Sequence, residues 1–501
     1  MSSIAVIGGG VGGLTVAARL ARVGHQVTVF EQAETVGGKL GLLEAEGFRF
    51  DTGPSLVTMP EVFRELWTFL EVGRSFDDDL QLRRLDPIAR YRMADGSWFD
   101  AWADPDAFTR EVDRLGAGNG AEMRKFLERA GKIWNVTREP FLESPLHGLR
   151  SLLALATRVG DLRTISPGTT LRRLSNGYLS DPRMVDFIDR YATYTGSDPR
   201  KVPAALASIP FVERSFGGWY VEGGLRRIAD RLEELCRRLG VVIRCGTGVV
   251  AITLEGDRAS GVKLSTGHSE NFDLVVANAD ARSVYEDLLP PVGPVRKARR
   301  AVRRAQPSFS GFVMLLGVKG RVPGVAHHTV LFPENYDAEF DDLFGTKSSS
   351  PQTVQDPTIY LSVPDDALVA PAGHQAWFVL VNAPRHAPGE PARGVDWSEV
   401  GLAERYGDRM LRLMADRGVE VRDRIVYRSH RTPADIERDT LSVGGSIYGS
   451  SSNGMNAAFL RPANESPVRN LYLVGGSSHP GGGLPLVVLS ARIVSQLIGS
   501  T

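Results

Sequence analysis

The sequence predicts an α/β fold built on a buried parallel sheet, and three observations carry that expectation. First, Ile4-Ala5-Val6-Ile7 is a short, wholly apolar run, the pattern of a parallel strand covered on both faces. Second, a glycine-rich turn leads into a helix bearing Leu14, Ala17, Ala18, Leu20 and Ala21, with Gly24 as its stop, and a strand from Gln26 to Phe30 follows. Third, the chain closes with another apolar strand, Leu471 to Val474, which runs into clustered glycines and an apolar helix reaching Ile498. Strands alternating with helices in this way call for a parallel sheet with helical crossovers.

The first turn carries chemistry. Gly8, Gly10 and Gly13 stand in the G-x-G-x-x-G spacing, with Val11 and Gly12 filling the start of the helix. Gly8 permits the tight turn, Gly10 lets backbone approach a pyrophosphate, and Gly13 allows close helix–strand packing. The first helical turn offers N–H groups to phosphates, and Glu31, about twenty residues on and followed by Gln32, is placed to accept from ribose hydroxyls. Strand, helix and acid all occupy the required places. A Rossmann-like dinucleotide site is therefore expected, for NAD or FAD.

At 501 residues the chain exceeds one simple core, so two or three domains are expected. It is 42% hydrophobic and 24% charged, and equal totals of 59 basic and 59 acidic residues argue against nucleic acid as a partner. Cys236 and Cys245 fit neither a disulfide framework nor a common zinc spacing and read as structural thiols. No run of about 18 apolar residues occurs, and the apolar N-terminal stretch lacks a basic lead and is broken by glycines. The expectation is a cytoplasmic protein, peripherally associated with a membrane.

Past Glu31, the glycines of Gly37-Gly38-Lys39 let backbone pass close to a large flat ligand, and Phe48 to Asp51 alternates like a strand before the turn Thr52-Gly53-Pro54-Ser55. Together with the N-terminal motif, these blocks resemble the start of flavoprotein desaturases of the phytoene desaturase type, distant relatives of the flavin amine oxidases. The resemblance selects FAD over NAD, because a nicotinamide dehydrogenase has no need of the Gly37-Gly38-Lys39 and Asp51-Thr52-Gly53 blocks. It implies cofactor contacts at Gly38, Lys39, Gly53, Pro54 and Ser55.

From about Met59 to Ser215 the pattern turns helical, with helices expected over Glu61–Glu71 and Ala121–Trp134. Leu149, Leu152, Leu153 and Ala156 form an apolar stripe that is either core or, with Phe141-Leu142, an interfacial membrane patch. A helix starting at Ser180-Asp181-Pro182 places Phe187, Tyr191 and Tyr194 on one face, as core or as the lining of a long apolar substrate tunnel. Next come a helix with Ile228, Leu232, Leu235 and Leu239 on one face, a strand near Val249 to Ile252 and a strand ending at Asn278-Ala279-Asp280. This block resembles the family's second FAD segment, which implies contacts at Val249 and Asn278.

Strands over Phe312–Gly317, Thr329–Phe332, Thr358–Val363 and Ala376–Asn382 predict an antiparallel sheet. His327-His328 and His374 lack companions at ligand spacing, so no metal is expected. The acid-rich stretch Asp337 to Asp342 reads as a solvated loop.

The closing block places Gly475, Gly476, Gly483 and Leu484 where, by the resemblance, the family passes the flavin ring and ribityl chain. Many members carry an acidic residue just after this strand; here Ser477 stands there. His479 is the leading candidate for a polar group beside the flavin, in proton removal or tuning, with Tyr448 and Arg461 behind it. The fold implied is α/β, a Rossmann-like FAD-binding domain built from discontinuous segments (1–75, 215–300 and 435–501). An α+β substrate-binding domain, partly membrane-associating, is inserted as 76–214 and 301–434. The implied function is an FAD-dependent oxidoreductase that introduces C=C bonds into a long apolar isoprenoid, an acyclic carotenoid, and passes electrons to oxygen or a quinone. The alternatives are an oxygenase or isomerase of the same pigments, or a non-catalytic isoprenoid-binding protein on the same scaffold.

Overall fold

Five parallel strands drawn from three distant parts of the chain form the central sheet, in the order Leu471–Leu473, Leu274–Ala277, Ser3–Ile7, Gln26–Phe30, Val242–Arg244. This computed structural model describes residues 1–146, 163–454, 457 and 461–499. The strands are short and apolar because both faces are covered. Helices Val11–Arg22, Arg226–Arg238 and Leu484–Ile498 pack on one face through Leu14, Ile228, Leu232 and Val488. On the other face a three-stranded antiparallel layer, Val249–Glu255, Arg258–Leu264 and Ser269–Asn271, sets Ile252, Val262 and Leu264 against Ala5, Ile7 and Phe30. The three-layer, discontinuous α/β fold is as the sequence predicts. Both cysteines are free, and buried Cys236 bonds the Leu14 carbonyl.

A second sheet has seven strands, in the order Ile425–Arg431, Ser310–Lys319, His374–Ala383, Ile359–Ser362, His328–Leu331, Ala89–Arg92, Trp98–Ala101. All neighbours are antiparallel except His328–Leu331 with Ala89–Arg92. Strand alternation splits its central residues between two surroundings. Phe312, Met314, Leu361, Val379 and Val381 pack with Tyr406 and Met410 of helix Leu402–Asp416. Their neighbours Val313, Leu380 and Tyr360, mutually in register, face a large cavity instead.

One local reading changes. Tyr336–Phe344 is a helix, capped by Asn335, and not a solvated loop. Its acids are partnered: Arg172 pairs with Asp337 at 2.7 Å, Arg200 with Asp341 at 2.8 Å, and buried Glu339 accepts from Thr358 and Asn382. Phe141 and Leu142, on the π-helical turn Arg138–Leu142, are half-buried and line the cavity. The Leu149–Ala156 stripe lies outside the described residues. Among the described residues no helix is long and apolar enough to cross a membrane.

Candidate active site

A single cavity of about 1200 Å³ runs from the glycine turns of the parallel sheet to the inner face of the second sheet. Every residue singled out in the sequence as a cofactor contact or catalytic candidate lines it, Gly13 excepted. Gly13 packs behind it: a Cβ there would fall 2.0 Å from the Gly8 carbonyl oxygen, so only glycine lets helix and strand approach so closely.

Two glycine segments meet at Asn278. Its Nδ2 donates to the Gly8 carbonyl at 3.2 Å, and its Oδ1 would lie 2.6 Å from a Cβ on Gly12 or Gly475. Asn278 thus keys the N-terminal turn to the C-terminal one. Glu31, buried at 8% exposure, accepts from the Gly9 N–H at 2.7 Å and the Ala33 N–H at 2.9 Å, holding the turn with the same carboxylate that faces the cavity. Helices Val11–Arg22 and Leu484–Ile498 both open on the cavity, and neither N-terminus is capped by a side chain. Their N–H groups and dipoles together suit a pyrophosphate.

Beside this cradle sit three charged side chains, Arg461 buried and Lys39 and Asp280 half-buried. Lys39 donates to the Ser446 carbonyl at 2.9 Å, and Arg461 donates to the carbonyls of Tyr448, Gly476 and Ser450 at 2.8–3.0 Å. Burial lowers both, Arg461 to about 10, and Asp280 is the carboxylate that opposes the shift in each. Burial in turn raises Asp280, against the pull of Lys39. Ser477 accepts from the Ala281 N–H at 2.9 Å. His479 donates its Nε2–H to the Ser144 carbonyl at 3.0 Å, and burial lowers it to about 4, so the ring is neutral at pH 7.

The opposite wall is set by the second sheet and the turn Arg190–Thr195. Tyr360 OH meets both Ser55 Oγ and His328 Nδ1 at 2.7 Å. Tyr194 OH donates to buried Glu213 at 2.8 Å and accepts from Arg190 at 3.1 Å. The aromatic stripe expected at Phe187, Tyr191 and Tyr194 divides: the first two are buried in core, while Tyr194 reaches the cavity. Arg190, Glu213 and Tyr360 belong to no local motif; the only sequence sign of them is an arginine set within that stripe.

The cradle fits a flavin dinucleotide. Paired glycine turns admit close backbone approach, two uncapped helix N-termini face the phosphate position, and an acid faces the cavity on the strand following the first helix. The volume exceeds the range of about 300–1,000 Å³ usual for one small-molecule site, leaving room for a second ligand.

Comparison with known proteins agrees. The flavin containing amine oxidoreductase family matches residues 11–499. The chain is 35% identical to a 4,4'-diapolycopene oxygenase from Methylomonas sp, over 99% of this chain and 97% of that one. It is 33% identical to a 1-hydroxycarotenoid 3,4-desaturase from Flavobacterium sp., with both chains covered in full (100% each). Among solved structures, an oxidoreductase from Methanosarcina mazei superposes with a TM-score of 0.63 at 19% identity, covering 98% of this chain and 99% of that chain, a likeness of fold. The chain belongs to the flavin containing amine oxidoreductase family, and FAD is its cofactor.

Proposed function

We propose that this protein is an FAD-dependent carotenoid desaturase, removing two hydrogens from adjacent carbons of an acyclic polyene. The observation that carries the reading is the continuity of one cavity, from the nucleotide cradle to a sheet wall whose centre is Val313, Leu380 and Phe378. Full-length relatives named for carotenoid chemistry support it.

Bound FAD supplies the acceptor for a hydride from one carbon, while the neighbouring carbon releases a proton and the C=C bond forms. The chain's own contributions are binding and water exclusion. Val313, Leu380 and Phe378 would bury the hydrocarbon and keep water from it. Lys39 and Arg461 bring positive charge beside the glycine cluster, which would favour a cofactor that gains electrons. His479, neutral and tied through Nε2–H to Ser144, orders the Gly481-Gly482-Gly483 loop, and its Nδ1 is the atom left for proton removal. Segments 76–214 and 301–434 serve as the substrate-binding domain.

The membrane surface is part of this reading. Helix Val295–Arg304 presents exposed Arg296, Lys297, Arg300 and Arg304, a basic face suited to anionic lipid. Oxygen or a membrane quinone takes the electrons. A second reading, oxygenation of the same substrates, rests on the similarity to a 4,4'-diapolycopene oxygenase. Expression in a strain that makes acyclic carotenoids, with pigment masses read afterwards, separates them. Loss of two hydrogens marks desaturation, gain of oxygen marks the second reading, and unchanged pigments would remove both.

A further inference from the structure

The apolar wall of the cavity ends in a buried cation. Across the second sheet, Val313, Leu380, Tyr360, Val330 and Tyr91 stand in one register row. Val313, Leu380 and Tyr360 of this row line the cavity, Val330 and Tyr91 continue it into buried core, and Arg190 lies over the rings of Tyr360 and Tyr91. Its guanidinium sits 5.4 Å from the Tyr91 ring, 5.2 Å from Tyr194 and 6.0 Å from Tyr360. Nη1 donates to Tyr91 OH at 3.2 Å and Tyr194 OH at 3.1 Å. Arg190 is 7% exposed and lines the cavity, and among the described residues its Nε and Nη2 have no acceptor. A guanidinium keeps its proton and carries five N–H donors, so donors left open toward the cavity suit a ligand oxygen beside the hydrocarbon wall.

The charge is already balanced at one remove. Glu213 accepts from Tyr194 OH at 2.8 Å and from Tyr191 OH at 2.7 Å, so the pole is a donor-rich site matched to a neutral oxygen. Its position is close to the chemistry. Tyr360, under Arg190, is bonded at 2.7 Å to Ser55, the end of the Gly53-Pro54-Ser55 block against which the cofactor is placed.

We propose that Arg190, with Tyr194, is a specificity-determining site that binds a hydroxyl or carbonyl oxygen at the end of the polyene, placing the oxidised carbons within a few bonds of that oxygen. This rests on the carotenoid reading above and narrows it: the substrate is a terminally oxygenated acyclic polyene oxidised near its end, in contrast to a hydrocarbon oxidised at mid-chain. The reaction that supplies this substrate is then a hydration or oxygenation of the terminus.

The test uses the FAD-loaded enzyme with an acyclic carotenoid bearing one terminal hydroxyl and with its parent hydrocarbon. Binding is read by flavin fluorescence quenching, and the product's new double bond is located by mass spectrometry and NMR. A hydrogen bond from a charged donor predicts a preference of about 10- to 100-fold for the hydroxylated compound, in affinity and in kcat/KM. Arg190→Met collapses that ratio toward one, and Arg190→Lys restores part of it; flavin content reports that each variant folds. Equal handling of both compounds by the unaltered enzyme, or a ratio that survives Arg190→Met, overturns the assignment. If the hydroxylated compound binds preferentially but gains no double bond, desaturation falls while the Arg190 site stands. If both compounds are desaturated alike, the reverse holds.

Discussion

Glu31→Gln tests the double duty of the acid beside the cradle. In the native turn one carboxylate accepts two backbone N–H groups, Gly9 at 2.7 Å and Ala33 at 2.9 Å, in a site of 8% exposure. Glutamine keeps one acceptor oxygen and replaces the other with an NH₂ group, which turns a donor toward a donor. A bond to a charged acceptor contributes about 1.5–3 kcal/mol, so losing one lowers the local opening free energy of the turn by that amount. Since 1.4 kcal/mol is about a factor of ten, amide exchange of the segment around Gly9 rises about 10- to 100-fold in the FAD-free protein. FAD affinity falls as well, because the turn is less ordered and a ribose acceptor is weakened. Hydrogen-exchange mass spectrometry of the deflavinated protein, with an FAD titration beside it, reads both. Exchange within about twofold of the unaltered protein, despite weaker FAD binding, would refute the loop-ordering argument and leave Glu31 a ribose contact alone.

Three further outcomes are expected. Gly13→Val sets a side chain against the Gly8 carbonyl, where even Cβ falls 2.0 Å away; overpacking costs about 1–3 kcal/mol or more, and the purified protein should be colourless. Arg461→Met strips the donor from three partly buried carbonyls and removes positive charge beside the cofactor site. The reduced flavin is then less favoured, and spectroelectrochemical titration should show a potential lower by at least about 30 mV, a factor of ten in the two-electron equilibrium. His479, held near 4 against the usual 6.5, stays unprotonated in the native protein while the unfolded chain takes up a proton. Its contribution is therefore present above about pH 6.5 and lost as pH falls toward 4, by at most about 3 kcal/mol. Denaturant unfolding at about pH 7 and about pH 4.5 should show that loss, and His479→Gln should flatten it.

The nucleotide half of the site is legible in the sequence because its determinants are local. Gly8, Gly10 and Gly13 act within one turn, and the glycine cluster from Gly475 to Gly483 leads into its own helix. The parallel sheet follows from apolar runs that need cover on both faces. What joins the turns is not local: Asn278 reads as the end of a strand, and only the fold sets its amide against Gly8, Gly12 and Gly475. The charged residues of Tyr336–Phe344 resemble a loop because their partners, Arg172, Arg200, Thr358 and Asn382, are far away in sequence. The Arg190 pole is the extreme case. Tyr91, Arg190, Tyr194 and Tyr360 come from two separate strands and a 3₁₀ turn, and no spacing rule connects them.

The central claim, that the bound flavin oxidises a polyene held in the same cavity, is tested most directly by anaerobic mixing of the FAD-loaded enzyme with a terminally hydroxylated acyclic carotenoid. The account predicts that the visible absorbance of oxidised flavin bleaches while the polyene spectrum shifts to longer wavelength, one new double bond per flavin reduced. Flavin that stays oxidised with the carotenoid bound, and is bleached by an amine in its place, would contradict it.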